Sequence, residues 1–368
     1  MQCSILQENL QHSLNDVIRC VSSRPQLPIL GCVLLVAKGE EVTLFATDLQ
    51  FGMHTSISAK VEKEGTVAIP AKVFSDFITT LSPGEVELKL DGHAVLIKAA
   101  DAKAKLQTFA ADDYPLFPTA EGEALALPLD VLAPAVQATS FAASLDETRP
   151  VLTSLLIQFG EELEIVATDG FRLSRIVLPY SAQPQQFLIP AKALSEVVRI
   201  AVRKKVEEVS LTVSDKLKQV FLSFDGYSMS MRLLEGQYPP YQKILPSELS
   251  IQVVFDTEEL QQKLKTASIF ARESSGIITF MVKESELIIS SASSTYGNQE
   301  SSIKVRHLTP FSSEQEIAFN SKYIQDFLAT VKPKSVFFGM NESLKPAVFR
   351  PEGMDALTYV VMPFRVQK

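Results

Sequence analysis

Four acidic residues stand where a hydrolytic metal site could be built. Asp48 and Asp169 each follow Ala-Thr at the end of an apolar run, and Asp112-Asp113 form a pair. Clustered carboxylates can hold divalent cations and activate water for phosphodiester cleavage. The rest of the chain offers them little help. None of the four histidines (His12, His54, His93, His307) stands at a ligand spacing from another. The three cysteines (Cys3, Cys20, Cys32) form no CxxC. No glycine-rich phosphate loop occurs. Asp at the end of a strand commonly accepts hydrogen bonds from its own backbone in a turn. Asp112-Asp113 precede Tyr114-Pro115 in a loop. Turn chemistry is the simpler reading for all four. No catalytic residue, metal or cofactor is expected.

Cations at three matching places are more informative. Lys72 follows Ile69-Pro70-Ala71, Lys192 follows Ile189-Pro190-Ala191, and Lys322 follows Phe319-Asn320-Ser321. Behind each, apolar residues fall at i, i+3, i+4 and i+7: Phe74, Phe77, Ile78, Leu81; Leu194, Val197, Val198, Ala201; and Ile324, Phe327, Leu328, Val331. That spacing is one face of an α-helix. At 100° per residue, Lys192, Glu196, Arg199 and Arg203 lie about opposite the apolar face. One reading is a solvated face with i, i+4 pairs Lys72–Asp76, Lys192–Glu196 and Lys322–Asp326. Against it, Lys ahead of the acid is the poorer orientation, and a cation in a first turn opposes the helix dipole. Its use in all three copies points to a surface that needs positive charge.

The elements that carry these residues repeat too. Ala46-Thr47-Asp48 returns as Ala167-Thr168-Asp169, and Asp113-Tyr114-Pro115 corresponds to Gln237-Tyr238-Pro239. An earlier amphipathic helix appears as Leu10, Leu14, Val17, Val21; as Leu132, Val136, Thr139, Ala143; and as Leu260, Leu264, Ala267, Ala271. Asp256 with Glu259 reads as a capping-box start, and Asp130 as a candidate N-cap. Strands are expected over Val42–Ala46, Leu163–Ala167, Val86–Leu90, Val95–Lys98, Val209–Val213, Val220–Phe224 and Leu287–Ser291. Asp169-Gly170 should turn a hairpin into Phe171-Arg172-Leu173. A repeat of this length is a whole domain and not a solenoid unit. The expected fold is α+β: three copies of one domain, each with two helices packed on antiparallel sheet, over residues 1–122, 123–250 and 251–368.

Composition suits an ordinary folded chain of 368 residues, 46% hydrophobic and 21% charged. No apolar run is long enough for a spanning helix, the first residues lack a signal-peptide pattern, and no disulfide framework is implied. A cytoplasmic protein without a membrane partner is expected. The net charge of −8 argues against nucleic acid unless cations are concentrated on one surface.

The chain resembles the bacterial sliding clamps, the β subunits of DNA polymerase III. The resemblance covers its whole length. Its most specific segments are Arg24-Pro25-Gln26-Leu27-Pro28-Ile29-Leu30-Gly31, Ala167-Thr168-Asp169-Gly170-Phe171-Arg172-Leu173 and Tyr359-Val360-Val361-Met362-Pro363-Phe364-Arg365, with Gly236-Gln237-Tyr238-Pro239 in support. It implies a non-enzymatic processivity factor: a head-to-tail homodimer whose six domains close a ring around duplex DNA, with helices lining the hole. Contacts to DNA would be weak and independent of sequence. A clamp loader would open the ring. The polymerase III catalytic subunit, other polymerases and repair proteins would bind through a short linear motif.

Carried over by position, Arg24 and Arg149 lie near the DNA path, and Lys72, Lys192 and Lys322 lie on the inner helices; Arg199 and Arg203, on the same helix face as Lys192, join them as candidate DNA contacts. The family's peptide cleft, between the second and third domains, maps to Leu152, Thr168, Gly170, Arg172, Leu173, Pro239, Lys243, Ile244, Leu344, Pro346, Val360, Val361, Met362, Pro363 and Arg365. Phe171 and Lys243 depart from the family's usual His and Arg. Read without the resemblance, Val360-Val361-Met362 is a buried C-terminal strand. Ala104, Leu106 and Thr108 on an edge strand, with Ile269 and Phe270 at a helix end, are the candidate dimer contacts. Two rivals from other classes remain: a metal-dependent nuclease built on the acidic turns, and a protein-binding scaffold.

Overall fold

The computed structural model describes residues 1–22 and 25–365, so Arg24 lies outside the described residues. Among them are six α-helices: α1 Gln7–Val17, α2 Ala71–Thr80, α3 Leu129–Ser140, α4 Ala191–Lys204, α5 Thr257–Phe270 and α6 Ser321–Val331. The chain divides into two compact units, Met1–Asp130 with Glu196–Leu233, and Val131–Ser195 with Leu234–Lys368.

The first unit holds two antiparallel sheets. One has the order Lys60–Lys63, Gln2–Leu6, Glu85–Asp91, Ala94–Lys98, Lys103–Gln107. The other runs Ala124–Pro128, Glu208–Ser214, Gln219–Phe224, Tyr227–Arg232, Phe51–Ser58, Glu41–Thr47, Cys32–Lys38, Gly65–Pro70. The longer sheet is continuous because Phe51–Ser58 pairs with Tyr227–Arg232, placing Gly52 opposite Ser230. Helices α1 and α2 are joined where Gln7 Nε2 donates to the Ile78 carbonyl at 2.8 Å.

The second unit is built the same way. Its larger sheet has the order Gln185–Pro190, Ser154–Phe159, Leu163–Thr168, Arg172–Leu178, Leu357–Val361, Ala347–Pro351, Ser335–Met340, Ile251–Asp256, Arg306–His307. It is joined by the pairing of Arg172–Leu178 with Leu357–Val361, which sets Leu173 opposite Val360. The smaller sheet orders Gly297–Lys304, Glu286–Ser293, Ile277–Val282 and Gln315–Asn320. Gln325 Nε2 on α6 donates to Ser268 Oγ on α5 at 2.7 Å. The fold is therefore α+β, with helix pairs braced on antiparallel sheet.

The apolar periodicities correspond to buried faces. Leu10, Leu14, Val17, Leu132, Val136, Thr139, Leu260, Leu264 and Ala267 are all buried. The fourth residue of each early-helix set falls beyond the α-helix. Val21 and Ala271 lie at or past short 3₁₀ turns, Ile18–Cys20 and Ala271–Ser274, and Ala143 follows the end of α3. Asp256 caps α5 as expected, its Oδ1 accepting from the Glu259 amide at 2.9 Å. The reading of Asp130 as an N-cap is corrected. Helix α3 begins at Leu129, so Asp130 sits inside the first turn, where its charge still favours the dipole.

Candidate partner cleft and cationic helix faces

In the turns at Asp48 and Asp169 one carboxylate oxygen of each accepts hydrogen bonds from its own backbone. Asp48 Oδ1 accepts from the amides of Gln50 at 2.9 Å and Phe51 at 2.7 Å. Asp169 Oδ1 accepts from Phe171 at 2.9 Å and Arg172 at 3.0 Å. The preceding threonines repeat one another too: Thr47 Oγ1 donates to the Phe51 carbonyl, and Thr168 Oγ1 to the Arg172 carbonyl. Gly170 meets the positive φ this turn requires, at 93°. Asp112 and Asp113 lie exposed in a 3₁₀ turn, and no metal-binding cluster occurs among the described residues.

The cations divide into free and engaged sets. Lys72, Arg149 and Lys192 are exposed, and neither Lys72 nor Lys192 has an ion-pair partner among the described residues. Lys322 is also exposed and reaches Asp326 Oδ1 at 2.9 Å, the expected i, i+4 pair. The expected Lys192–Glu196 pair does not form, because Glu196 instead takes Arg199 Nε at 2.7 Å. Arg199 and Arg203 also turn towards Asp16, a residue the sequence reading did not name. Asp16 is fully buried and accepts from Arg199 Nη2 at 3.3 Å, Arg203 Nη1 at 2.9 Å and Tyr227 Oη at 2.9 Å. Its signal in the sequence is modest: on α1 it lies three and four residues from Ser13 and Cys20, which are also buried.

In the second unit, Leu173 and Val360 point to one face of the sheet. There they pack with Val348, Leu156, Tyr238 and Tyr241, and Ile244 and Leu245 cover the cluster in part. Around this floor, Leu152, Pro346, Met362 and Pro363 are half-buried, while Pro239, Lys243, Leu344 and Arg365 are exposed. Tyr241 Oη donates to Glu164 Oε1 at 2.8 Å, fixing the loop that bears Lys243 and Ile244. The Met362 amide donates to the Phe171 carbonyl at 2.8 Å, holding the C-terminal segment against the acidic turn. Tyr241, Val348, Leu234 and Leu249 belong to this floor but were missed, since each reads as ordinary core in the sequence.

Arg172 and Val361 lie on the opposite face, because side chains alternate along a strand. This differs from the expectation that the Arg172 side chain meets a peptide. Its guanidinium is buried, bonded to Asp169 Oδ2 at 3.0 Å and Asp326 Oδ2 at 2.7 Å. It also lies 4.9 Å from the Tyr323 ring centroid and 5.8 Å from that of Phe141. Burial works against its charge, and Tyr359, Asp326 and Asp169 more than offset this, raising its pKa above the ordinary arginine value. Arg172 is thus a strut beneath the acidic turn. Thr168 is buried in that turn, and Gly170 lies exposed at its tip.

Three models of one family match in succession. The N-terminal domain of the DNA polymerase III beta subunit covers residues 1–118, its central domain 126–240, and its C-terminal domain 242–365. The chain belongs to the DNA polymerase III β-subunit family. The beta sliding clamp of Synechocystis sp. is 32% identical, with 98% of each chain covered. That of Staphylococcus aureus is 30% identical, with 99% of each covered. The DNA polymerase sliding clamp of Bacillus subtilis superposes with a TM-score of 0.90 at 26% identity, covering 100% of both chains. A DNA polymerase III β subunit from Thermotoga maritima shares the fold at a TM-score of 0.92 and 24% identity, again over 100% of both. Members of the β-subunit family are non-catalytic processivity factors, which removes the nuclease reading.

The remaining expected residues lie as follows. Ala104 and Leu106 sit half-buried on Lys103–Gln107, the outermost strand of the five-stranded sheet, and Thr108 follows it. Ile269 is exposed and Phe270 half-buried at the end of α5.

Proposed function

We propose that the protein is a DNA sliding clamp that encircles duplex DNA as a head-to-tail dimer and tethers the replicative polymerase. The observation that carries this is the unbroken succession of three β-subunit domain matches along one chain. Clamp domains over 1–122, 123–250 and 251–368 supply three of six ring segments. The exposed Lys72, Lys192 and Lys322, with Arg149, face the phosphates, and the net negative charge belongs to the outer surface. The cleft floored by Leu173 and Val360 and bordered by Leu344, Pro346, Met362 and Pro363 takes a short extended peptide from the polymerase, the clamp loader and repair proteins. The ring works in the cytoplasm.

The deciding experiment loads the protein on nicked circular DNA. Retention that is lost on linearisation is expected, and equal retention on both forms refutes topological holding. Sedimentation should give a dimer that weakens when Ile269 and Phe270 are replaced with Ala. A monomer at micromolar concentration would rule out the ring.

A further inference from the structure

The first unit contains a second copy of the cleft's framework. The Thr47-Asp48 turn repeats Thr168-Asp169, and the Tyr114-Pro115 strap repeats Tyr238-Pro239. Tyr114 Oη donates to the Cys32 carbonyl at 2.9 Å, on the first strand of its hairpin, and Tyr238 Oη to the Val166 carbonyl at 3.4 Å, on the second strand of the matching hairpin. The strand pair that sets Leu173 against Val360 in the second unit sets Gly52 against Ser230 here. Two apolar floor residues are thereby replaced by small ones, and the space beside the strap stays open. Cavities of about 550 and 150 Å³ flank it, both bordered by Phe45, Pro115 and Leu116.

Three features of this groove are unexplained by folding alone. Leu49 occupies a φ of 75° with its side chain 51% exposed, at the turn position where the other copy uses Gly170. A non-glycine residue held there is strained, and such strain gathers at functional sites. Leu116 is 94% exposed on the strap. Inside the larger cavity, His54 Nδ1 is buried without a hydrogen-bond partner among the described residues, its ring edge-on to Phe117 at 4.5 Å. Burial also lowers the His54 pKa, which favours the neutral ring. At the rim, Asp112 is exposed and forms no ion pair among the described residues.

We infer that this groove is a second docking site for an extended segment of a partner protein, one carrying bulky apolar side chains and a basic residue. Phe45 borders both cavities, Phe117 in the larger and Leu49 in the smaller receive the apolar side chains, and Asp112 at the larger cavity's rim meets the cation. The ligand class rests on the peptide reading of the cleft in the second unit; the groove itself stands on its own geometry. Its occupants differ from those of the other cleft by carrying a positive charge.

A fluorescein-labelled pentapeptide amide, Arg-Lys-Gly-Leu-Phe, titrated into the full-length protein tests this by anisotropy, with stoichiometry from calorimetry. Two peptides per chain are expected. Met362→Asp should leave one, and adding Leu49→Gly with Leu116→Ser should weaken that one about tenfold or more through the loss of apolar contact. Leu49→Gly relieves the backbone, so an unchanged or raised melting temperature separates lost binding from lost folding. A single peptide per chain, abolished by Met362→Asp and indifferent to Leu49→Gly, overturns the inference while sparing the other cleft. A single peptide indifferent to Met362→Asp and weakened by Leu49→Gly upholds it and refutes the other cleft instead. No binding at all overturns both.

Discussion

The carboxylate of Asp16, fully buried on α1, is held by Arg203 on α4 through a hydrogen bond of 2.9 Å from Nη1. Arg199 and Tyr227 complete its shell. Removing one partner of a buried ion pair costs about 3–5 kcal/mol, because the other charge is left uncompensated. The two arginine side chains remain 42% and 39% exposed, so solvent will absorb part of that cost. Asp16→Asn is expected to lower unfolding stability by about 2 kcal/mol or more, read by urea denaturation. A loss below about 0.5 kcal/mol, the range of ordinary surface changes, would show that the cluster contributes little.

Arg172 should not tolerate lysine. Its planar fork serves Asp169 and Asp326 at once and lies against Tyr323, and an ammonium cannot reproduce both contacts. Arg172→Lys should lower the melting temperature and, by loosening the Thr168–Leu173 turn, weaken peptide binding in the neighbouring cleft. Unchanged peptide affinity in a destabilised variant would limit the residue to a purely structural role.

The exposed lysines act through charge alone. Replacing Lys72, Lys192 and Lys322 with Ala should leave stability within about 0.5 kcal/mol. Each lost phosphate contact should reduce the slope of log K against log salt by roughly 0.9, equally for all DNA sequences. An unchanged salt slope would remove these lysines from the DNA surface.

A peptide ending in Leu-Phe should bind the second unit's cleft with affinity on the order of micromolar, because the ordering entropy of an extended peptide offsets two apolar anchors. Met362→Ala trims one half-buried wall and should cost less than the roughly 2–5 kcal/mol of a fully buried deletion. Wild-type affinity in that variant, measured by anisotropy, would move the cleft elsewhere.

Alkaline pH should destabilise the fold. Burial pushes the Cys3 and Cys32 thiols up to about 11. It likewise pushes Tyr227 up to about 12, reinforced by Asp16. These folded-state values lie above those of the unfolded chain, near 8.5 for cysteine and 10 for tyrosine. Their contribution is therefore complete below about pH 8.5 and is lost as pH rises through 11 to 12. Denaturation midpoints should fall steadily over that window, and the thiols should resist a disulfide reagent at pH 8 until the chain unfolds. Rapid modification of all three cysteines at pH 8 in the folded protein would contradict their burial.

The repeat, the helices and the turns are legible in the chain alone, because each is written in short-range chemistry. The i, i+3, i+4, i+7 sets needed only one helix to become faces. Thr168-Asp169-Gly170 carries its whole hydrogen-bond pattern within five residues. Asp256 caps the helix that begins one residue later. What tertiary structure alone decided are relationships between distant positions. Nothing near Asp16 in the chain announces Arg199, Arg203 or Tyr227, since only tertiary packing buries that carboxylate and brings the three side chains to it. Likewise, Arg172 and Leu173 are adjacent in sequence and equally plausible as cleft residues. They part because the strand's pleat sends one beneath the turn and the other to the floor, and burial on one face leaves Arg172 no place to reach a ligand.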